Sequence, residues 1–237
     1  KNKRLKHFGT LYGGYDISDE KFVKPIVISC GVGEDISFDI DLINNYDAKV
    51  FLVDPTPRSK IYFNQVQKNF GKTFVNNYNE TGYIEPKNYN LKKINLQNLI
   101  FLDKAIWFKN KEIIKLYFPK NPDHVSLSLN HIDNSRITKK SISCETIDYQ
   151  SILNLYNIKN VDILKLDIEG GEIKVLNSLL NSKNLPNQIL VEFDARRTPS
   201  YKNKKKLYQI HKKICDKYEL ININKKGDFT YLMKNML

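Results

Sequence analysis

Three carboxylates crowd one short stretch, "VDILKLDIEGGEIKVL" at residues 161–176. There Asp167, Glu169 and Glu172 follow the apolar Ile163, Leu164 and Leu166 and flank Gly170 and Gly171. Like charges beside apolar side chains carry a desolvation cost, so the stretch is either a functional site or a heavily capped helix start. Two chemistries suit it. A carboxylate can remove a hydroxyl proton as the oxygen attacks an electrophile; Asp167, at the end of the apolar run, is the candidate base, and Glu169 the candidate ligand of the acceptor. Alternatively, Asp167, Glu169 and Asp194 offer the oxygen ligands that Mg²⁺ or another divalent cation prefers, and such a cation would also bind a diol. Glu172 reads as structural: it opens a helix carrying Ile173, Leu176 and Leu180, and an acid there gains about 0.3–1 kcal/mol from the helix N-terminus.

A second constellation lies upstream. In "SCGVGED", Gly31 and Gly33 permit a tight turn that brings backbone N–H groups close to a ligand at a helix N-terminus. The dinucleotide pattern G-x-G-x-x-G requires a third glycine where this chain has Ile36, so a ligand without a pyrophosphate fits better. Asp54 ends the next apolar run, followed by Pro55 and Thr56, and its carboxylate can accept both hydroxyls of an adenosine ribose. Cys30 and Glu34 flank the glycine turn and join this binding set; Cys30 is given no nucleophilic role. His124, in "NPDHVSLSL", is either an acceptor contact and alternative base or a solvated loop histidine. Tyr12 and Tyr15 in "LYGGY" either close over a bound cofactor, with Gly13 and Gly14 making the loop mobile, or flank a hairpin turn. Trp107 reads as core.

Short β-branched runs alternate with amphipathic segments, which predicts a parallel sheet flanked by helices. Strands are expected at 25–30, 49–54, 98–107, 113–119, 141–148, 161–167 and 187–194, and a hairpin at 218–234. Helices carry Ile36, Ile40 and Ile43, then Tyr62, Val66 and Phe70. The Asn- and Tyr-rich stretch from Gly71 to Asn98 reads as an excursion or lid, although Ile84 and Leu91 could pack. Cys30, Asp54, Asp103, Asp167 and Asp194 all fall at strand ends, where open α/β sheets bind ligands.

A chain of 237 residues, 41% hydrophobic, suits one well-buried α/β domain, with residues 1–24 packing on or near the cofactor site. No transmembrane run and no signal-type apolar core is present. Three cysteines without metal-ligand spacing suit a reducing, cytoplasmic setting. The net charge of +12 would suit a polyanion, but the lysines are spread along the chain, and no nucleic-acid partner is expected. In "YKNKKKLYQIHKKICDKY", Leu207, Ile210, Ile214 and Tyr218 fall at helical spacing, so the lysines read as a solvated face.

Taken in order, "CGVGEDISFDIDLI", "VDPTPRS", "DKAIW", "YFPKNPDHVSLSL", "TIDYQSIL", "VDILKLDIEGGEIKVL" and "QILVEFD" resemble the FkbM-type S-adenosylmethionine-dependent methyltransferases. The resemblance runs from about Phe8, in "FGTLYGGY", to Phe193. It implies a Rossmann-like class I methyltransferase fold: a mostly parallel seven-stranded sheet ending in an antiparallel hairpin, with helices on both faces. It also implies that Gly31 and Gly33 cradle the methionine portion of S-adenosylmethionine, that Asp54 holds the ribose, and that Asp103, Lys104 and Ala105 lie by the adenine. The implied reaction is O-methylation of a hydroxyl, on a sugar such as a deoxyhexose of a glycan or on a polyketide-like acceptor. Where many relatives read Glu-Phe-His, this chain has Glu192, Phe193 and Asp194, so a role resting on that histidine does not carry over. The first residue is Lys1, which leaves open a domain cut from a longer polypeptide with glycosyltransferase modules as neighbours. Two rival readings are an NAD-dependent oxidoreductase, which the glycine turn and Asp54 also permit, and a non-catalytic basic Rossmann-like domain that binds nucleic acid.

Overall fold

The computed structural model describes residues 5–19, 22–74, 78, 82–121, 126–129, 137–197 and 200–236. An N-terminal hairpin, β1 (Lys6–Phe8) and β2 (Tyr15–Ile17), leads into β3 (Ile26–Cys30), α1 (Ser37–Tyr46), β4 (Lys49–Val53) and α2 (Pro57–Gln67). After a 3-10 turn at Pro86–Asn88 come β5 (Leu99–Leu102), β6 (Ala105–Trp107), β7 (Ile113–Pro119), β8 (Ile137–Asp148) and α3 (Tyr149–Tyr156). The chain continues through β9 (Ile163–Leu166), α4 (Glu172–Leu179), β10 (Gln188–Val191) and a 3-10 turn at Asp194–Arg196 to α5 (Tyr201–Cys215), β11 (Tyr218–Ile223) and β12 (Phe229–Met233).

Among the described residues, seven strands form a mixed central sheet in the order β5-β4-β3-β9-β10-β12-β11. Neighbouring pairs from β5 to β10 are parallel, and β12 runs antiparallel to both β10 and β11. The parallel strands are buried on both faces, which is why they read as continuous apolar runs. Their alternation still sorts side chains between two cores. Ile28, Phe51, Leu164 and Ile189 face α3, α4 and α5, whereas Val27, Val50, Ile163 and Leu190 face α1, α2 and the N-terminal hairpin. The helices begin at identifiable caps. The Thr56 hydroxyl accepts from Ser59 N with Pro57 in the first turn, Asp148 accepts from Ser151 N, and Ser200 accepts from Asn203 N.

Three expectations change. The run 98–107 is two strands: β5 closes the central sheet, while β6 joins β8 and β7 in a separate three-stranded sheet. The backbone leaves the first ladder at Asp103, and Trp107 pairs instead with Asp148. The stretch from Gly71 to Asn98 is not a lid where it is described. Ile84, Tyr89, Leu91 and Ile94 are buried, and Tyr89 Oη accepts from Ile36 N at 3.0 Å while lying 2.7 Å from Tyr62 Oη. The amphipathic pattern through Tyr218 belongs to two elements: α5 ends at Cys215, and Tyr218 opens β11. No helix among the described residues is long and apolar enough to cross a membrane.

Candidate active site

Main-chain hydrogen bonds continue one residue past the parallel strands: Gly31 N to Val53 O at 3.1 Å, Asp54 N to Leu102 O at 3.1 Å, Asp167 N to Cys30 O at 3.1 Å and Glu192 N to Leu166 O at 3.0 Å. The sheet therefore delivers Gly31, Asp54, Asp167 and Glu192 to a single edge. A cavity of about 340 Å³ runs along it, spanning the β3–β9 junction where the strand order reverses.

One end of the cavity is built on the glycine turn. Gly31 has φ +83°, and a Cβ there would run into the Asp167 carbonyl, so neither the dihedral nor the space admits a side chain. At Gly33 a Cβ would meet nothing within 4 Å, leaving the backbone open to an approaching ligand. Asp54, 5% exposed, knits this turn to the start of α2. Its Oδ2 accepts from Val32 N at 2.8 Å, Gly33 N at 3.4 Å and Ser59 Oγ at 2.9 Å, and its Oδ1 accepts from Thr56 N at 2.8 Å and Thr56 Oγ1 at 2.6 Å. Glu34 lines the cavity with its carboxylate held by Arg58 at 2.9 Å. Val53, Pro55, Ala105 and Ile106 supply an apolar wall, which Trp107, Leu116 and Leu127 continue.

The other end is charged. Arg197 places Nη1 3.1 Å from both carboxylate oxygens of Glu169 and pairs through Nη2 with Glu192. Burial raises the Glu169 carboxyl, and the nearby Asp167 adds to the rise. Burial likewise pushes Glu192 up to about 7, again reinforced by Asp167 and opposed by Arg197. Glu169 itself has φ +53°, a strained conformation for a side-chain-bearing residue and one that recurs at functional turns. Tyr12 stands at the mouth, its carbonyl bonded by Lys226 from the turn between β11 and β12.

The cavity thus gathers ten of the residues singled out above: Tyr12, Gly31, Gly33, Glu34, Asp54, Pro55, Thr56, Ala105, Asp167 and Glu169. Five others lie elsewhere. Cys30 is wholly buried in the core, where burial pushes its thiol well up. Gly14 is packed against the carbonyls of Phe8 and Thr10, and it is Gly13 that reaches the cavity. Asp103 pairs with Lys60, Lys104 pairs with Glu145 at 2.6 Å, and Asp194 begins a 3-10 turn off the cavity wall. His124 lies outside the described residues. The cation reading of the acidic cluster finds no support: among the described residues, no group of three His, Cys, Asp or Glu side chains could hold a metal ion. The counter-charge is instead a guanidinium, Arg197.

The profile of the methyltransferase FkbM domain matches residues 18–217. The chain belongs to the FkbM methyltransferase family. No curated protein and no solved structure matched it. The FkbM match spans nearly the whole cavity edge, while Tyr12, Gly13 and Lys226, which close its mouth, lie outside the matched residues.

Lys165, Glu192, Arg197 and Lys226 also line the cavity and were not among the residues picked out from the sequence. For Lys165 and Glu192 a signal existed, since each is a charge placed in or just after an otherwise apolar buried strand, a local inconsistency of the kind functional sites show. Arg197 and Lys226 sit in turns among many basic residues, and nothing local distinguishes them.

Proposed function

We propose that this FkbM-family methyltransferase uses S-adenosylmethionine to methylate a hydroxyl oxygen of a carbohydrate, such as a deoxyhexose of a glycan, on a Rossmann-like class I scaffold. The observation that carries the reading is the single edge on which Gly31, Asp54 and Asp167 meet around one cavity. The residues fit a nucleoside joined to an amino acid. Gly33 leaves open space where a side chain would stand, Asp54 lines the cavity beside the glycine turn, and Val53, Pro55, Ala105 and Ile106 offer an apolar wall to a base. When bound, the donor supplies a sulfonium methyl group to an attacking oxygen and leaves as a neutral thioether.

The protein's own contribution is alignment and proton removal. Asp167, at the end of β9, takes the hydroxyl proton. Glu169 accepts a hydrogen bond from a neighbouring hydroxyl of the acceptor, and Arg197 fixes its rotamer. The apolar side chains of Ile114 and Leu116 on β7, with Leu127 from the segment that follows, give the acceptor a dry wall and exclude water from the reacting oxygen. A glycan or glycan precursor is accordingly the proposed partner, with glycosyltransferase modules as proposed neighbours in a longer polypeptide.

Calorimetric titration with S-adenosylhomocysteine and, separately, with NAD tests the donor. Saturable binding of the first alone is expected and leads to screening sugar acceptors for a methyl gain by mass spectrometry. Binding of NAD in its place would overturn the reading in favour of hydride transfer.

A further inference from the structure

Lys165 is the one lysine among the described residues that is buried, 5% exposed, and it stands in β9 between Leu164 and Leu166. Strand alternation turns it away from those two leucines, toward Tyr15 and the cavity. An ammonium carries three donors. The Lys165 Nζ spends one on Gly31 O at 2.8 Å and lies 5.6 Å from the Tyr15 ring centroid. No carboxylate lies within ion-pair distance of it among the described residues; the buried Asp39 on α1 interacts with it only at longer range. A buried cation with donors to spare, lining a cavity, requires an anion there.

The anion's chemistry follows from its place. The Lys165 ammonium sits against the glycine turn, at the opposite side of that turn from the Asp54 carboxylate and its neighbouring apolar wall. A nucleoside laid on that wall would turn its amino-acid end toward Lys165. We propose that Lys165 binds the α-carboxylate of the methyl donor, an assignment that rests on the donor reading above. Lys165 would then hold the turn through Gly31 and the ligand through its carboxylate, so that the same side chain links a loaded site to the loop that forms it.

The test compares two nucleosides that share adenosine and a thioether: S-adenosylhomocysteine, which carries the amino-acid end, and 5′-methylthioadenosine, which lacks it. Titrated into the wild-type protein and into Lys165→Met, they should part company. The substitution is expected to weaken S-adenosylhomocysteine about 10- to 100-fold, the loss of one charge-assisted hydrogen bond, and to leave 5′-methylthioadenosine within about two-fold. Lys165→Arg should recover part of the loss. Equal weakening of both nucleosides would mean that Lys165 only supports the turn, and would overturn the proposal. Should Lys165→Met fail to fold, the wild-type protein decides the matter with decarboxylated S-adenosylhomocysteine: about 10- to 100-fold weaker binding is expected, and undiminished binding overturns the assignment. Wild-type protein that binds no adenosine thioether overturns the donor reading and this assignment with it. Protein that binds all of them equally overturns this assignment alone.

Discussion

Glu172 carries its carboxyl into the interior, 2% exposed, with Gly170 N donating to Oε1 at 2.9 Å. Burial lifts it from 4.5 to about 8, and Asp194 and Glu169 add to the rise. The folded protein therefore retains a proton that the unfolded chain has released, and stability falls as pH rises from about 4.5 to about 8, levelling beyond. Glu172→Gln keeps the oxygen that accepts from Gly170 and removes the titration. Urea midpoints should then be flatter between pH 5 and pH 9 than in the wild type, with the substituted protein the more stable above pH 8; an unchanged slope would show that other groups carry the pH dependence. Asp167 is a different case, a carboxylate on the cavity wall. Asp167→Asn should leave the urea midpoint and S-adenosylhomocysteine binding near wild type while lowering methyl transfer about 10²- to 10⁴-fold, the usual contribution of a positioned base. Full activity in that variant would remove Asp167 from the chemistry.

At the scale of elements, the turns after β3 and β9 depend on each other. Gly31 lies against the Asp167 carbonyl, and Lys165 reaches back to the Gly31 carbonyl, so the two strand ends interlock across the point where the strand order reverses. Gly31→Ala would combine a left-handed backbone with a steric overlap, and a loss of at least about 2 kcal/mol of stability is expected, together with weaker cofactor binding. Thermal denaturation measures the first and calorimetry the second. In the turn after β9 the division of labour between the glycines is plain. Gly170 takes φ +108°, whereas Gly171 has an ordinary backbone and is small because a Cβ would press on Ile168 and Trp107.

Over the whole molecule, segments far apart in sequence close the cavity mouth. Thr230 Oγ1 donates to Asp16 O at 2.8 Å, Asn222 Nδ2 donates to Asp16 Oδ2 at 2.9 Å, and Lys226 reaches the Tyr12 carbonyl, which clasps the N-terminal hairpin to the C-terminal one. A ligand in the cavity touches both hairpins as well as the central sheet, so its binding should stabilise the fold as a unit. At one hundred times its dissociation constant, S-adenosylhomocysteine is expected to add about 2.7 kcal/mol, read as a single upward-shifted unfolding transition. Two transitions, with one unmoved, would show that a hairpin unfolds independently of the site.

Much of this was legible in the residues themselves. Apolar runs bounded by glycine and acids located the parallel strands, because a strand buried on both faces must be apolar throughout. The glycine turn, Asp54 and Asp167 were found because each breaks that pattern at a strand end. The sequence could not show where β5 stops and β6 begins, since "LIFLDKAIW" suits one strand or two and only pairing partners distinguish them. Nor could it choose among the acids. Asp103 and Lys104 face other partners, and Glu192 enters the cavity, because register with neighbouring strands and the reach of distant cations set each side chain's surroundings. Residue type and spacing fixed which chemistry was available. The tertiary structure decided which groups meet, because strand order brings Arg197 to Glu169 and Lys165 to the Gly31 carbonyl, partners that lie far apart along the chain.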